Sequence, residues 1–220
     1  VRSPRPSSAE ARPKRREMRV VPAASTPISP EHMRDALVAA LPGLDRESAA
    51  LLLGLIRVET GGVPMNNNMG NITASERWDG DAWRPPWFEP NQTTERLKHE
   101  HERMLKGESP RAFRAYSSAR AGMEDFARVL KSTFPTVLEA AKTGDPAAFV
   151  NALHDSGYSK DYRAAHIPTF VAMREKFAPL VAHLPAGAGA GVGGGAVVVA
   201  LAAAGIYALA SRPRKRRRAS

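Results

Sequence analysis

The sequence predicts a mostly helical domain with a small lobe of loops and short strands, and two observations support this fold class. Helical spacing of apolar residues, with capping residues at the ends, recurs through most of residues 29–184. Residues 63–88 lack this spacing and are rich in Pro, Asn, Gly and Trp, which favours loops and short strands. The 220-residue chain is long enough for one sizeable core with tails, or for two small cores.

The positive charge of the chain lies at its two ends. The formal net charge is +10, of which residues 1–20 contribute +5, and residues 212–218 hold six Lys or Arg. The 191 residues between carry 19 basic and 20 acidic side chains, so we expect no specific nucleic-acid binding by the folded part. The absence of cysteine excludes disulfides, thiolate metal sites and cysteine-nucleophile hydrolases.

Both ends are predicted to lie outside the folded domain. Residues 1–28 are rich in Arg, Pro, Ser and Ala, which predicts a disordered basic tail, and no signal-peptide core lies near the N-terminus. Residues 186–210 carry no charge and are long enough to cross a bilayer, so we predict a transmembrane segment over 185–211. The basic tail 212–220 would then be cytoplasmic. A flexible Gly/Ala linker is the alternative.

The second predicted helix, residues 45–62, is the element around which we expect the domain to pack. It follows a first helix that begins at Ser29-Pro30 and ends at Pro42-Gly43. Asp45 is its N-cap, and two glycines end it. Its large apolar residues lie on every side of a helical wheel, which predicts burial on all faces: Leu51, Leu52, Leu53, Leu55, Ile56 and Val58.

Glu59 lies in the last turn of this helix, where we expect the edge of the packed interior. The negative end of the helix dipole and partial desolvation both favour a protonated carboxyl there, as a general acid requires. The alternative is an ordinary glutamate, solvated or paired with a cation.

Capping residues and apolar stripes predict the later elements in order. These are a helix from Thr94 through Lys106, an extended link at 113–116, a helix along Met123 to Phe134, a helix from Asp145-Pro146 to Gly157, and a helical stretch over 158–184 broken near Pro168 and Pro179. His99 and His101 point to different helix faces and no HExxH pattern occurs, so we predict no metal site and no cofactor.

Three groups of short motifs occur in a recognisable order. IRVETGG at 56–62 precedes NNNMGNITA at 66–74, with Trp78 and Gly80 after it. FRAYSS at 113–118, FARVL at 126–130, FVNAL at 149–153 and SGY at 156–158 follow. Together, over residues 46–165, they resemble the phage and autolysin N-acetylglucosaminidases of the lysozyme-like superfamily, glycoside hydrolase family 73 and its relatives.

This resemblance implies a lysozyme-like domain over residues 29–184 that cleaves β-1,4 bonds in the glycan strand of peptidoglycan, with Glu59 as the proton donor. It also implies a second carboxylate in the lobe, where Glu89 fits loosely and Asp79 and Asp81 are rivals. Glycoside hydrolysis usually requires such a pair. Without a second acid, a lytic transglycosylase route or substrate assistance remains open.

Other side chains are candidates for holding the sugar. Trp78, Trp83 and Trp87 lie close together in the sequence and either stack on sugar faces or form a small core beneath the loop. Neutral hydrogen bonds to N-acetyl and hydroxyl groups are predicted for Asn68, Asn71, Tyr116 and Tyr158, although Tyr158 alternatively only closes the core.

Three functional hypotheses follow. The first, which we favour, is a peptidoglycan hydrolase that acts in the periplasm or cell wall, carried by a virion or held by the membrane. The second is a module that binds peptidoglycan without turnover. The third is a membrane-inserting or nucleic-acid-associated protein that works through its basic ends.

Overall fold

The computed structural model describes residues 18–75, 78–91, 93–107 and 111–187. These residues form seven α-helices and a three-stranded sheet, which confirms the predicted mostly helical class with a small strand-containing lobe. Contacts divide the chain into two compact units. Of the described residues, the sheet unit comprises those within 18–27 and 64–126, and the helical unit comprises those within 28–63 and 127–187.

The helical unit is built around a buried central helix. Its helices are α1 (Pro30–Ala40), α2 (Arg46–Thr60), α5 (Pro135–Lys142), α6 (Pro146–Asp155) and α7 (Ile167–Phe177). It also contains the part of α4 (Ala119–Thr133) that follows Phe126. Helix α2 packs against α1, α5 and α7. Every residue of α2 from Ser48 to Ile56 is buried, as predicted, whereas its last turn is half-buried. Burial of each large apolar side chain contributes about 1.5–3 kcal/mol.

A glycine allows α2 and α7 to approach closely. A Cβ built on Gly54 would lie 2.9 Å from the Cβ of Met173, closer than side-chain carbons normally come. Phe170, on the same helix as Met173, is fully buried and packs edge-on against Phe149 of α6 at 5.4 Å between ring centroids. The close contact and the aromatic pair together fix α7 beside the central helix.

The predicted capping residues begin their helices. Ser29 accepts a hydrogen bond from the backbone of His32 at 3.2 Å, and Asp45 accepts one from Ser48 at 2.7 Å. Thr94 and Asp145 cap α3 (Glu95–Leu105) and α6 in the same way. At its other end α2 stops at Gly61, whose φ of 61° is the left-handed conformation that glycine adopts without strain.

Two helical features differ from the prediction. Helix α5 was not predicted, because it is only eight residues long and its buried residues are Val137 and Ala141, too few to show a helical period. The helical stretch predicted over 158–184 begins only at Ala164, because residues 158–163 form turns and coil; the 3₁₀ turn Ala164–His166 then gives way to α7, with Pro168 in its first turn. Proline is suited to that position, since the amide it lacks would have no partner within the helix.

The sheet unit contains three short strands and helix α3. The strands are β1 (Arg19–Val20), β2 (Asp81–Trp83) and β3 (Phe113–Arg114), in the order β1-β2-β3. Strand β1 pairs with β2 in parallel, and β2 pairs with β3 antiparallel, with Trp83 opposite Phe113. The extended link predicted at 113–116 therefore supplies an edge strand.

Residues 18–28 differ from the predicted disordered tail. Arg19 of β1 lies directly opposite Asp81 of β2, and the two side chains form an ion pair. Further along, Ser25 forms a β-bridge with Met65, and the amide of Thr26 donates to the carbonyl of Pro64 at 2.8 Å. The segment is ordered by partners more than 35 residues away, which composition alone does not reveal.

The Asn-rich turn joins several parts of the sheet unit. Asn66, Asn67 and Asn71 have φ values of 48°, 58° and 48°, and asparagine tolerates this left-handed region better than most residues. The side chain of Asn66 bonds the backbone of Pro22 and Ala24, both at 2.9 Å. The Asn67 side chain donates to the carbonyl of Tyr116 at 2.9 Å. The turn therefore holds both the N-terminal segment and the end of β3.

Several predicted segments lie outside the described residues. These are residues 1–17 of the basic tail, residues 188–211 of the predicted transmembrane segment, and the basic residues 212–220. Among the residues that the structure does describe, none of the helices has the length and apolar character needed to cross a membrane.

Candidate active site

The end of α2 carries Glu59 out of the buried part of the helical unit. Ile56 is the last fully buried residue of the helix, and Glu59 is half-buried one turn later. The hydroxyl of Thr60 donates to the carbonyl of Ile56 at 2.7 Å and accepts from the amide of Gly62 at 3.1 Å. These bonds satisfy backbone groups at the helix end, so the turn that holds Glu59 is well defined.

Tyr162 holds one oxygen of the Glu59 carboxyl. The phenol of Tyr162 donates to Oε1 of Glu59 at 2.7 Å. Its ring is buried and packs edge-on against Phe170 and His166, with centroids 5.6 and 5.5 Å away. A donor fixed in this way orients the carboxyl and stabilises its ionised form.

The sequence did not single out Tyr162, which lies 103 residues after Glu59. A local pattern that could have pointed to Tyr162 is its spacing of four residues from Tyr158, which was itself a candidate for binding the sugar.

Tyr158 lies within electrostatic range of the same carboxylate. Burial raises the pKa of the Tyr158 phenol well above its usual value, and the negative charge of Glu59 raises it further. The ring of Tyr158 also packs edge-on against Phe134 at 5.1 Å. Tyr158 therefore stays neutral at physiological pH. Glu59, Tyr158 and Tyr162 together form a carboxyl site with two phenols in the helical unit.

In the sheet unit, Trp78 and Tyr116 come together around a charged pair. The two rings lie edge to face with centroids 6.0 Å apart, and the guanidinium of Arg114 lies 4.5 Å from the Trp78 ring. Arg114 Nη1 and the Tyr116 hydroxyl both donate to Oδ2 of Asp125, at 2.6 and 2.5 Å. Burial, and next the bonded carboxylate, raise the pKa of Tyr116.

Asn68, predicted to hold the sugar, and Trp83, predicted either to stack on the sugar or to form a small core, are both buried in the sheet unit. The Asn68 amide donates to the carbonyls of Ile72 and Arg114 at 2.9 and 3.0 Å, and its oxygen accepts from the amide of Ile72 at 2.8 Å. Trp83 stacks on Phe113 at 4.9 Å in the small core. Both residues therefore shape the loops from within. Asn71 is half-buried in the Asn-rich turn.

The acidic candidates of the lobe have different surroundings. Asp81 is paired with Arg19. Asp79 and Glu89 are exposed, and Glu89 directly follows the 3₁₀ turn Pro86–Phe88. All three belong to the sheet unit, whereas Glu59 belongs to the helical unit.

The histidines of α3 have a local structural explanation. Nδ1 of His101 lies 2.8 Å from the carbonyl of Trp87, so this nitrogen carries the hydrogen and donates it. His99 is exposed. Within the described ranges, no group of three His, Asp or Glu side chains is placed to bind a metal ion.

Comparison with known proteins gives one structural similarity. No family model matches the chain, and no curated protein matches it. Among solved structures, the chain is similar to a mutant of a peptidoglycan hydrolase from Sphingomonas sp. A1, with 22% sequence identity and a TM-score of 0.43. The similarity covers 64% of this chain and 88% of the other.

Proposed function

We propose that this protein is a peptidoglycan hydrolase that cleaves β-1,4 glycosidic bonds of the glycan strand, with Glu59 as the general acid. One observation carries the proposal: a half-buried carboxyl at the end of a fully buried helix, with one oxygen held by a buried tyrosine at 2.7 Å. The motif order of residues 46–165 supports the same assignment. The site of action would be the cell wall.

The proposed chemistry uses the two oxygens of Glu59 differently. The oxygen that does not bind Tyr162 carries the proton and passes it to the glycosidic oxygen as the bond from that oxygen to the sugar C1 breaks. The leaving sugar gains a hydroxyl, and Glu59 is left as a carboxylate. Tyr162 already donates to Oε1, so the charge that develops on Glu59 meets a fixed hydrogen bond.

The second half of the reaction has three candidate routes. In the first route, Glu89 activates a water molecule or stabilises the sugar cation. In the second, the N-acetyl group of the substrate stabilises that cation. In the third, an internal hydroxyl of the sugar attacks C1, as in a lytic transglycosylase. Asp81 is the weakest of the lobe acids for this role, since its carboxylate is paired with Arg19.

The experiment that tests the proposal is mass spectrometry of the muropeptides released from purified peptidoglycan by the full chain. We expect soluble fragments whose new ends identify both the bond cut and the route: a reducing sugar for hydrolysis, an anhydro sugar for transglycosylation. A Glu89→Gln variant separates the routes further, because only the first needs that carboxylate. Peptidoglycan that binds the protein but yields no fragments at any pH would favour the non-catalytic binding module instead.

A further inference from the structure

We propose that Asp125 is a positioning residue that holds the Trp78 indole as a stacking platform for a hexopyranose ring. This inference deepens the proposed function, on which the choice of sugar rests. It concerns the sheet unit, to which all the residues involved belong.

The ring of the half-buried residue Trp78 is held by several neighbouring groups. Its indole N–H donates to the carbonyl of Asp81 at 2.8 Å, which fixes the in-plane orientation of the ring. The backbone of Gly80 lies close to the ring, since a Cβ at Gly80 would come within 2.6 Å of an indole carbon. The Arg114 guanidinium and the Tyr116 ring also contact the indole.

Asp125 connects the last two of these supports. One carboxylate oxygen accepts from both Arg114 and Tyr116, and the Arg114 and Asp125 side chains are only 15% and 10% exposed. Arg114 is also held by its Nε, which donates to the carbonyl of Thr73 at 3.2 Å. Removal of the Asp125 charge would therefore leave Arg114 held only through Nε and would weaken the bond that holds the Tyr116 hydroxyl.

The energetics of buried ion pairs favour a role in orientation over one in stability. Desolvation of two charges cancels much of their attraction, and apolar residues of similar volume often stabilise a fold at least as well. Trp83 and Phe113 already provide the unit with a small apolar core. The network does, however, fix a partly exposed indole. A binding surface that is rigid before the ligand arrives loses less entropy on binding.

Sugars suit such a surface. The flat face of a hexopyranose presents C–H groups to an aromatic ring, and a rigid indole loses little conformational entropy when it binds. The charge of Arg114, the cation that lies over the Trp78 ring, is paired with Asp125, so the ring contact itself does not call for an ionic ligand.

The test measures chitohexaose affinity by calorimetry in full-length protein carrying Glu59→Gln, so that no turnover occurs. We expect Trp78→Ala and Asp125→Asn each to weaken binding about tenfold, and the double variant to be no weaker than Trp78→Ala alone. Glu124→Gln is the matched control, because it removes an exposed charge from the same helix, and it should bind normally.

The proposal would be overturned if Asp125→Asn lowered the chitohexaose affinity by the same factor with Trp78 present and with Trp78 replaced by alanine. Unchanged affinity in Asp125→Asn would overturn it as well. If Asp125→Asn fails to fold, Gly80→Ala displaces the indole without touching the ion pair, and normal binding there would also overturn it. If chitohexaose binding depends on Trp78 but the wild-type chain releases no muropeptides, the proposed function fails and the role of Trp78 and Asp125 stands.

Discussion

At the scale of single residues, the bond between Tyr162 and Glu59 governs how the candidate acid behaves. Burial disfavours the charged carboxylate, whereas the phenol stabilises it. The phenol therefore favours the carboxylate that the reaction leaves on Glu59. Only the partial burial could be predicted from the sequence.

Tyr162→Phe removes this hydrogen bond while keeping the ring. Because a bond to a charged group contributes about 1.5–3 kcal/mol, we expect kcat/KM to fall about tenfold or more. Turnover of peptidoglycan measures this loss, and thermal unfolding controls for stability. A kcat/KM equal to that of the wild type would contradict the assigned role.

At the same scale, the fate of the predicted sugar ligands follows from hydrogen-bond requirements. A buried amide such as that of Asn68 must be bonded, and the nearest partners are backbone groups of the turn itself. The sequence located the Asn-rich turn correctly as a special backbone feature. It could not show which asparagines face inward, since this depends on strand β3, about 46 residues away.

At the scale of elements, the helices with capping residues and full apolar stripes were predictable, because both signals are local. Helices α1, α2, α3 and α6 begin at the residues expected. Strand β1 was not predictable, since two residues carry no period and its order comes from pairing with β2. Helix α5 was missed for the same lack of a period.

The contact between α4 and the Asn-rich turn gives a prediction at this scale. A Cβ on Gly122 would lie 1.8 Å from the carbonyl oxygen of Asn67, and a backbone atom cannot move aside easily. We expect Gly122→Ala to lower the free energy of unfolding by about 1–3 kcal/mol, despite the better helix propensity of alanine. Urea denaturation measures this.

Arg120→Ala on the same helix is the control for Gly122→Ala. Arg120 is exposed and pairs only at the surface with Glu124, so its loss should change stability by no more than about 0.5 kcal/mol. Equal stability of Gly122→Ala and wild type would show that α4 does not press on the turn.

At the scale of the whole molecule, the phenols of Tyr116 and Tyr158 make stability depend on alkaline pH. The pKa values of Tyr116 and Tyr158 are raised in the folded protein by burial and by neighbouring carboxylates, above a usual value of 10.0. Above about pH 10 the unfolded chain therefore binds fewer protons than the folded one. The stabilisation is complete below that pH and is lost as the pH rises.

We expect the free energy of unfolding to fall above pH 10 by as much as about 1.4 kcal/mol per pH unit for each of the two groups. Tyr116→Phe and Tyr158→Phe should each reduce the slope, because each removes one titrating phenol. Denaturant unfolding between pH 8 and pH 11 measures it, and a slope that neither substitution alters would contradict the burial of these hydroxyls.

Charge distribution also belongs to this scale. The middle of the chain is nearly neutral and the ends are basic, so a whole-chain charge of +10 says little about the folded part. What the composition could not show is that the residues from Arg19 to Thr26, at the end of the basic segment and just after it, join the sheet unit.

The most direct measurement of the central claim compares muropeptide release by wild-type protein and by Glu59→Gln. Glutamine keeps the shape of the side chain but cannot donate the proton, so the rate should fall by about 10²–10⁴-fold while peptidoglycan is still bound. Glu175→Gln, an exposed charge on α7, should leave the rate unchanged. Release by Glu59→Gln at the wild-type rate would contradict the account, because the carboxyl beside Tyr162 would then not be the acid.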